Sequence, residues 1–445
     1  MFIISIGKRL ASYQIAALTF LILILIGTAI LMLPAANAAD KEIVFVDAFF
    51  TATSAVCVTG LVVVDTATQF SLFGQMVIIT LIQLGGLGIM TFATLLSVAV
   101  GKKINLRERL LLQETLNQDV FSGVVRLALH VVKYTFLIEF IFGSLLAIHL
   151  YPAYGQQGIY LGYWHAVSAF CNAGFDLFGN YESLVSFKGD VVMNFYLTML
   201  ITLGGLGFIV LEDAITKKSF KRLTPHSKIV LLASSVLLIG GTLSLWLIER
   251  SNVQTIARLS GAEQLLTCLF QSVTARTAGF NTLPLERLTE SSLLVLMVLM
   301  VIGASPTSTG GGIKTTTAVV VLMETWTLLR GKTDIVIFER LIGKKAAHKA
   351  FAILVLAFSL VAAVTLFIST VENLPLIKVL FEVVSAFGTV GLSVGITKDL
   401  SVISKILLIL TMFAGRVGIL TFAMLLMSKP RQNRIIYPEV KIIIG

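Results

Sequence analysis

The sequence is short of what a water-facing surface is made from. Charged residues make up only 13% of its 445 positions, against 56% hydrophobic ones, and mean hydropathy is +0.93. A soluble chain of this length has no way to bury so much apolar surface, so a bilayer is the solvent for most of it. Cysteine is also scarce. Cys57, Cys171 and Cys268 stand alone, which excludes a disulfide framework and a cysteine metal site and leaves small buried residues. The five histidines form no metal-ligand spacing with glutamate, no serine–histidine pair falls in a span, and no aspartyl pair occurs. An intramembrane enzyme is therefore not expected.

What is present is a series of long apolar runs, at 15–33, 74–100, 127–150, 190–211, 229–248, 291–328, 350–371 and 401–427. They predict eight spans, all helical, because lipid forces backbone polar groups to pair within the segment. With the N-terminus cytoplasmic, the inside segments hold 22 Lys/Arg and the outside segments 8, with four more in or beside spans. Both termini are thus expected on the cytoplasmic side. The net charge of +10 follows from this asymmetry beside anionic headgroups and implies no nucleic acid. "AANAAD" at 35–40 resembles a signal-peptidase site. Cleavage there would leave seven spans and break the repeat described next, so the chain is read as uncleaved.

Four outside segments read alike: "TATSAVCVTGLVVVD", "WHAVSAFCNAGFDLFG", "FQSVTARTAGFNTLP" and "FEVVSAFGTVGLSVG". Their glycines, Gly60, Gly174, Gly279 and Gly391, lie 114, 105 and 112 residues apart. Each follows a helix-length stretch rich in Ser, Thr and Ala, and each precedes Leu or Phe. Ser54, Ser168 and Ser385 keep one distance to their glycines, while Thr274 is displaced by one residue. The following spans also match: "LIQLGGLGIMTF", "LITLGGLGFIVL" and "TMFAGRVGILTF". Repetition of this kind predicts four copies of span, half-helix, glycine turn and span, at 1–100, 101–211, 212–330 and 331–427, with a cytoplasmic tail at 428–445. All copies run in the same topology, unlike the inverted repeats of many secondary carriers.

Irregular backbone at membrane depth is tolerable only when buried in protein or lining a wet cavity. Glycine permits the left-handed conformations that aim successive carbonyls along one line, and four such strands would replace the hydration shell of a bare cation. The candidate filter is Val58-Thr59-Gly60, Asn172-Ala173-Gly174, Thr277-Ala278-Gly279 and Thr389-Val390-Gly391. Few carboxylates are expected near these glycines, which favours a monovalent ion, K⁺ above all, over Ca²⁺ or Mg²⁺. The glycines of "GGLG" are read as close-packing residues between spans rather than ion ligands.

The sixth run contains "GASPTSTGGGIKTTT". A phosphate-binding loop needs Gly directly before Lys, after a strand, whereas Ile313 separates Gly312 from Lys314 between membrane helices. The stretch is instead the third copy's inner span, broken on purpose. Pro306 removes a backbone donor, and Gly310, Gly311 and Gly312 weaken the helix that would resume. A mobile gate lying in water under the filter is expected at 303–316, made of Gly303, Ala304, Ser305, Pro306, Thr307, Ser308, Thr309, Gly310, Gly311, Gly312 and Lys314. Lys314 is either a tether or a solvated residue. Arg416 stands where Gly86 and Gly205 stand in the first two copies. An intramembrane charge is costly, so it is expected either as a positive constriction on the ion path or in an ion pair, with Glu139 as candidate.

The glycine inserts, the GGLG spans, the interrupted segment and the arginine of "FAGRVGI" together resemble the Trk/Ktr/HKT superfamily of potassium transporters, and most closely the membrane subunits of bacterial Ktr systems. The resemblance covers essentially the whole chain. It implies a K⁺-channel-like, all-α polytopic fold with four span–pore-loop–span units around one pore. It also implies a homodimer with one pore per subunit, and K⁺ uptake across the cell membrane, often with Na⁺ as activator. It implies a cytosolic ring of RCK-type, KtrA-like subunits that bind ATP or ADP, since no cofactor site is expected in this chain. Serine in place of the first filter glycine goes with Na⁺ transport in that superfamily; here the position is Gly60. Pore-arginine placement in the superfamily maps to Arg416. The basic stretches 102–109, 217–222 and 340–349 are expected to orient the chain and in part to dock the ring, and the tail to pack on a neighbouring subunit.

Overall fold

The computed structural model describes residues 12–39, 41–88, 91, 112 and 124–426. The N-terminal basic residues, the stretch 102–109, the second span beyond Gly88 apart from Thr91, and the tail 428–445 lie outside the described residues.

One order of elements recurs four times. The first is α1 (Ser12–Leu31), the short α2 (Phe45–Cys57) and α3 (Leu72–Leu87). The second is α4 (Val124–Tyr154), α5 (Gln156–Phe170), α6 (Val191–Leu206) and α7 (Phe208–Lys217). The third is α8 (Pro225–Glu249), α9 (Gly261–Thr274), α10 (Glu290–Val301) and α11 (Thr315–Leu329). The fourth is α12 (Lys344–Glu372), α13 (Leu376–Gly388), α14 (Val402–Val417) and α15 (Ile419–Leu426). A hairpin of β1 (Ile335–Ile337) and β2 (Arg340–Ile342) joins α11 to α12, with Ile335 opposite Ile342. Its two turn residues, Phe338 and Glu339, both have positive φ, as a tight two-residue turn demands.

The chain is a polytopic helical membrane protein. Among the described residues, four helices are long and apolar enough to cross a bilayer singly: α1, α4, α8 and α12. These are the outer spans of the four copies. The inner spans differ from the expectation of straight helices. The pair α6–α7 bends by 98° and α14–α15 by 112°, at Gly207 and Gly418. The break lies at the last glycine of the GGLG pattern, where φ is +82° at Gly88, +92° at Gly207 and +95° at Gly418. Left-handed backbone cannot continue a helix, and glycine reaches it without the usual steric cost. The third copy reaches the same outcome with the longer interruption at 302–314. Among the described residues the inner span is thus broken in the second, third and fourth copies, over the longest stretch in the third, and in the first its helix ends at the matching Gly88.

The preceding glycines do serve close approach. A Cβ at Gly85, Gly204 or Gly415 would overlap the carbonyl oxygen of Val56, Phe170 or Phe387 respectively, so each inner span rests on the C-terminal end of its own short helix. Each also reaches the next copy: α3 contacts α5, α6 contacts α9, α10 contacts α13, and α14 contacts α2. That cyclic order closes the four copies into a ring. The seam between the fourth copy and the first carries an ion pair, Lys405 Nζ to Asp47 Oδ1 at 2.8 Å.

The outer ends are fastened in a related way. Inner spans begin at capping residues Ser71, Asp190, Thr289 and Ser401, each accepting from a first-turn N–H. In two copies a carboxylate from the end of the outer span joins the cap. Glu249 Oε1 accepts from the Thr289 N–H at 2.9 Å and Ser292 Oγ at 2.6 Å. Glu372 Oε1 accepts from the Ser401 N–H at 3.0 Å and from Ser404 Oγ. The three cysteines are free and buried, as their isolation in sequence implied.

Candidate functional site

The four short helices converge with their C-terminal ends on the four predicted turns. In every turn the residue two before the glycine is left-handed: Val58 (φ +57°), Asn172 (+59°), Thr277 (+79°) and Thr389 (+50°). The glycines are left-handed too, at +90° for Gly60, +69° for Gly174, +82° for Gly279 and +95° for Gly391. The residue between them, Thr59, Ala173, Ala278 or Val390, is not. A strand that alternates handedness in this way can turn successive carbonyls to one side, whereas ordinary β backbone alternates them. Left-handed backbone at valine and threonine is strained, and its recurrence at four equivalent places marks a position held for function rather than a folding accident.

The turns meet one another. A Cβ on Gly60 would overlap the Ala173 carbonyl oxygen, one on Gly174 the Ala278 carbonyl, one on Gly279 the Val390 carbonyl, and one on Gly391 the Thr59 carbonyl. The contacts run first to second, second to third, third to fourth, and fourth back to first. All twelve predicted turn residues therefore lie in one closed ring, every one of them buried except Gly391, which is partly exposed. The hydroxyls picked out by spacing fasten each turn to its helix. Ser54 Oγ accepts from the Gly60 N–H at 3.0 Å and Ser385 Oγ from the Gly391 N–H at 3.1 Å. Ser168 Oγ donates to the Phe175 carbonyl at 2.7 Å and Thr274 Oγ1 to the Phe280 carbonyl at 2.6 Å. The one-residue displacement of Thr274 is absorbed without losing the bond.

Beyond the glycines, on the side of the returning arms, the ring opens into a cavity of about 520 Å³. Contrary to the expectation of few carboxylates, Asp65, Asp176, Glu182 and Glu286 line it, against Arg287 and Lys398. The Asp176 carboxyl, two residues past Gly174, is pushed up to about 7 by burial, with negative Asp65 nearby adding and the Phe178 and Gly179 amides opposing.

On the inner side lies the interrupted segment. It was expected in water, but Gly303, Ala304, Ser305, Pro306, Thr309, Gly310 and Gly311 are buried, and only Thr307, Ser308, Gly312 and Lys314 are partly exposed. Glycines let its backbone lie against the ring: a Cβ at Gly310 would overlap Thr277 Oγ1, and one at Gly311 would overlap Thr389 Oγ1. The Gly311 N–H donates to Thr389 Oγ1 at 3.0 Å. Thr309 Oγ1 bonds the carbonyls of Phe170 and Gly204, both at 3.2 Å. Ser305 N–H donates to the Gly205 carbonyl at 3.0 Å. Lys314 Nζ donates to the Gly310 carbonyl at 2.6 Å, so the side chain ties the segment to itself.

Arg416 does not pair with Glu139. Its guanidinium donates to the carbonyls of Thr309 and Gly85, and to that of Gly86 at 3.2 Å. The planar fork thus joins the interrupted segment to the first copy's inner span. Arg416, Lys314, Gly88, Pro306 and Gly418 border an inner cavity of about 570 Å³. Glu139 sits apart, held by the Gln83 amide at 3.0 and 3.1 Å, at the floor of a lipid-side crevice of about 830 Å³ between α3, α4 and α5. Sequence alone had no way to separate these two groups, because both are lone charges in apolar spans.

Comparison with known proteins places this architecture. The model of a family described as TrkH, cation transport protein, matches residues 9–435. The chain belongs to this family. Among curated relatives, the Ktr system potassium uptake protein B of Bacillus subtilis is 41% identical, with 98% of this chain and 97% of that protein aligned. The potassium/sodium uptake protein NtpJ of Enterococcus hirae is 39% identical, over 98% of both chains. Among solved structures, the potassium transporter TrkH from Vibrio parahaemolyticus superposes with TM-score 0.73 at 19% identity, covering 95% of this chain and 86% of that one. At that identity the superposition speaks for the TrkH fold. The family is one of transporters, and the chain is not an enzyme.

Proposed function

We propose that this chain takes up K⁺ across the cytoplasmic membrane through the ring formed at Gly60, Gly174, Gly279 and Gly391. The observation that carries the reading is the left-handed pair in each of the four turns, closed into a ring by contacts in cyclic order. A cation entering from the outer cavity exchanges water for backbone carbonyls. The C-terminal ends of α2, α5, α9 and α13 point their negative dipole ends at the ring and favour a cation there. Carboxylates in the outer cavity raise the local cation concentration.

Residues 303–314 act as the gate in this reading. In the described arrangement they are bonded under the ring through Thr389 and Thr309, and Arg416 holds them there. A cytosolic RCK-type ring that binds ATP or ADP would shift this segment, acting on a homodimer whose termini both lie in the cytoplasm. Relatives named as components of a Ktr system support a partner subunit.

The name of the Enterococcus hirae relative, a potassium/sodium uptake protein, supports a second reading, in which Na⁺ is also carried or coupled. One experiment addresses both. Cells lacking other K⁺ uptake are given wild type or Gly60→Ser, and Rb⁺ uptake is followed with and without Na⁺. The proposal expects Na⁺ to compete in the variant or K⁺ uptake to weaken. A variant indistinguishable from wild type would remove the filter assignment.

A further inference from the structure

Behind the ring lies a second set of equivalent positions that differ in chemistry. Nine residues before their glycines stand Thr51, His165 and Glu382; Gln271 stands eight before, carrying the same displacement as Thr274. All four side chains are buried, at 2%, 0%, 1% and 1% exposure. They lie on α2, α5, α9 and α13, the helices that present the turns. What they hold is different in each copy.

Glu382 grips the outer arm of the fourth turn. Its Oε1 accepts from Ser393 Oγ at 2.6 Å and from the Val394 N–H at 3.0 Å, and its Oε2 accepts from Thr397 Oγ1 at 2.8 Å. Ser385 meanwhile holds the Gly391 N–H from the same helix. The fourth turn is thus pinned on both sides of Gly391 by one short helix. His165 makes a weaker form of the same contact, accepting from the Leu177 N–H at 3.4 Å, three residues past Gly174 as Val394 is three past Gly391. Among the described residues Thr51 bonds only its own helix, at the Asp47 carbonyl. Both amide atoms of Gln271 lack a partner among the described residues.

We propose that Glu382 is a positioning residue of the filter: it fixes the outer arm Gly391–Thr397 and through it the fourth turn's share of the carbonyl ring. Discrimination between cations of similar size depends on carbonyl placement, and a strained turn left with only its Ser385 anchor relaxes when its outer arm is released. The four copies contribute unequally: the fourth turn is held on both sides of its glycine, whereas the first is held by its short helix only through Ser54. This inference rests on the filter reading.

The test uses the full chain with its partner subunits, in cells lacking other K⁺ uptake, and reads the ratio of Rb⁺ to Na⁺ uptake. That ratio does not depend on how much protein reaches the membrane. Glu382→Gln replaces one of two acceptor oxygens by a donor. It is expected to lower the ratio by about fivefold or more, the scale of one lost buried hydrogen bond. Ser393→Ala with Thr397→Val, which leaves Glu382 in place but removes two of its donors, is expected to lower it in the same direction and keeps the test open if Glu382→Gln fails to fold. Thr51→Val is expected to leave it unchanged. Gly391→Ser serves as reference. If Gly391→Ser lowers the ratio while the Glu382 and arm variants do not, the positioning role is wrong and the filter reading stands. An equal fall in Thr51→Val would make the effect one of general helix packing and overturn the proposal. No effect from Gly391→Ser would overturn the filter reading and the proposal with it.

Discussion

Thr389 Oγ1 accepts a hydrogen bond from the Gly311 N–H at 3.0 Å, joining the fourth glycine turn to the interrupted inner span of the third copy. Through this contact the ring and the interrupted segment are directly bonded. The Thr277 hydroxyl, in the equivalent place, is bonded at 3.2 Å to the Asn172 side-chain amide and abuts Gly310. The interrupted segment thus touches the hydroxyl-bearing residues of two of the four turns, through a hydrogen bond at Thr389 and a close contact at Thr277.

Shortening the segment within 304–313 should raise Rb⁺ flux and loosen its dependence on the cytosolic partner. Gly310→Ala should act in the same direction, since a methyl group there overlaps Thr277 Oγ1 and Ala304 Cβ and forces the segment away. Flux equal to wild type, at equal membrane levels, would remove the gate assignment.

Arg416→Gln leaves the Thr309, Gly85 and Gly86 carbonyls without their donor and should raise partner-independent uptake severalfold. Arg416→Lys should lie between, because an ammonium is a point charge and does not fork across two elements. Uptake measured without the partner subunit separates these outcomes. An unchanged value in Arg416→Gln would contradict the tether.

Acidity should matter at the outer mouth. With its carboxyl at about 7, Asp176 is mainly neutral below that pH and mainly charged above it, so the vestibule gains a negative charge as external pH rises. One unit charge about 8 Å from the ion path is worth about 0.5 kcal/mol when screened as in water and more at a desolvated site, which makes a factor of about two in local cation concentration the lower bound. Uptake at low K⁺ should therefore rise about twofold or more between about pH 6 and pH 8. Asp176→Asn should flatten that rise; a rise of the same size in the variant would exclude Asp176 as its source.

The seam of the ring gives a stability prediction. Lys405 and Asp47 are 12% and 22% exposed, so Asp47→Asn leaves a partly buried ammonium without its partner. A cost of about 2 kcal/mol, or a few degrees in the melting temperature of the purified protein, is expected. Asp47→Asn with Lys405→Met should recover part of it. A single variant that melts with wild type would show that the pair does not hold the seam.

Much of this architecture was legible in the sequence because glycine reports on backbone directly. Gly60, Gly174, Gly279 and Gly391 stood out by spacing, and their conformations are ones that glycine alone reaches easily. The bends at Gly207 and Gly418 were less visible, since GGLG reads equally well as a small-residue packing surface, and Gly204 and Gly415 do pack that way. The polar lining of the segment at 303–314 pointed to water, but its glycines let the backbone dock against protein, and the hydroxyls of Thr309 and Ser305 found partners there. The set Thr51, His165, Gln271 and Glu382 was hidden because four unlike side chains share a position, and because the third is offset by one residue. Only the hydrogen bonds of His165 and Glu382 reveal that these two face equivalent arms.

A bare cation held where the four turns meet should show directly in anomalous scattering from crystals grown in Rb⁺ or Tl⁺. Density is expected on the axis enclosed by Gly60, Gly174, Gly279 and Gly391, within bonding distance of the turn carbonyls. Density absent from that axis and present instead in the crevice beside Glu139 would contradict it.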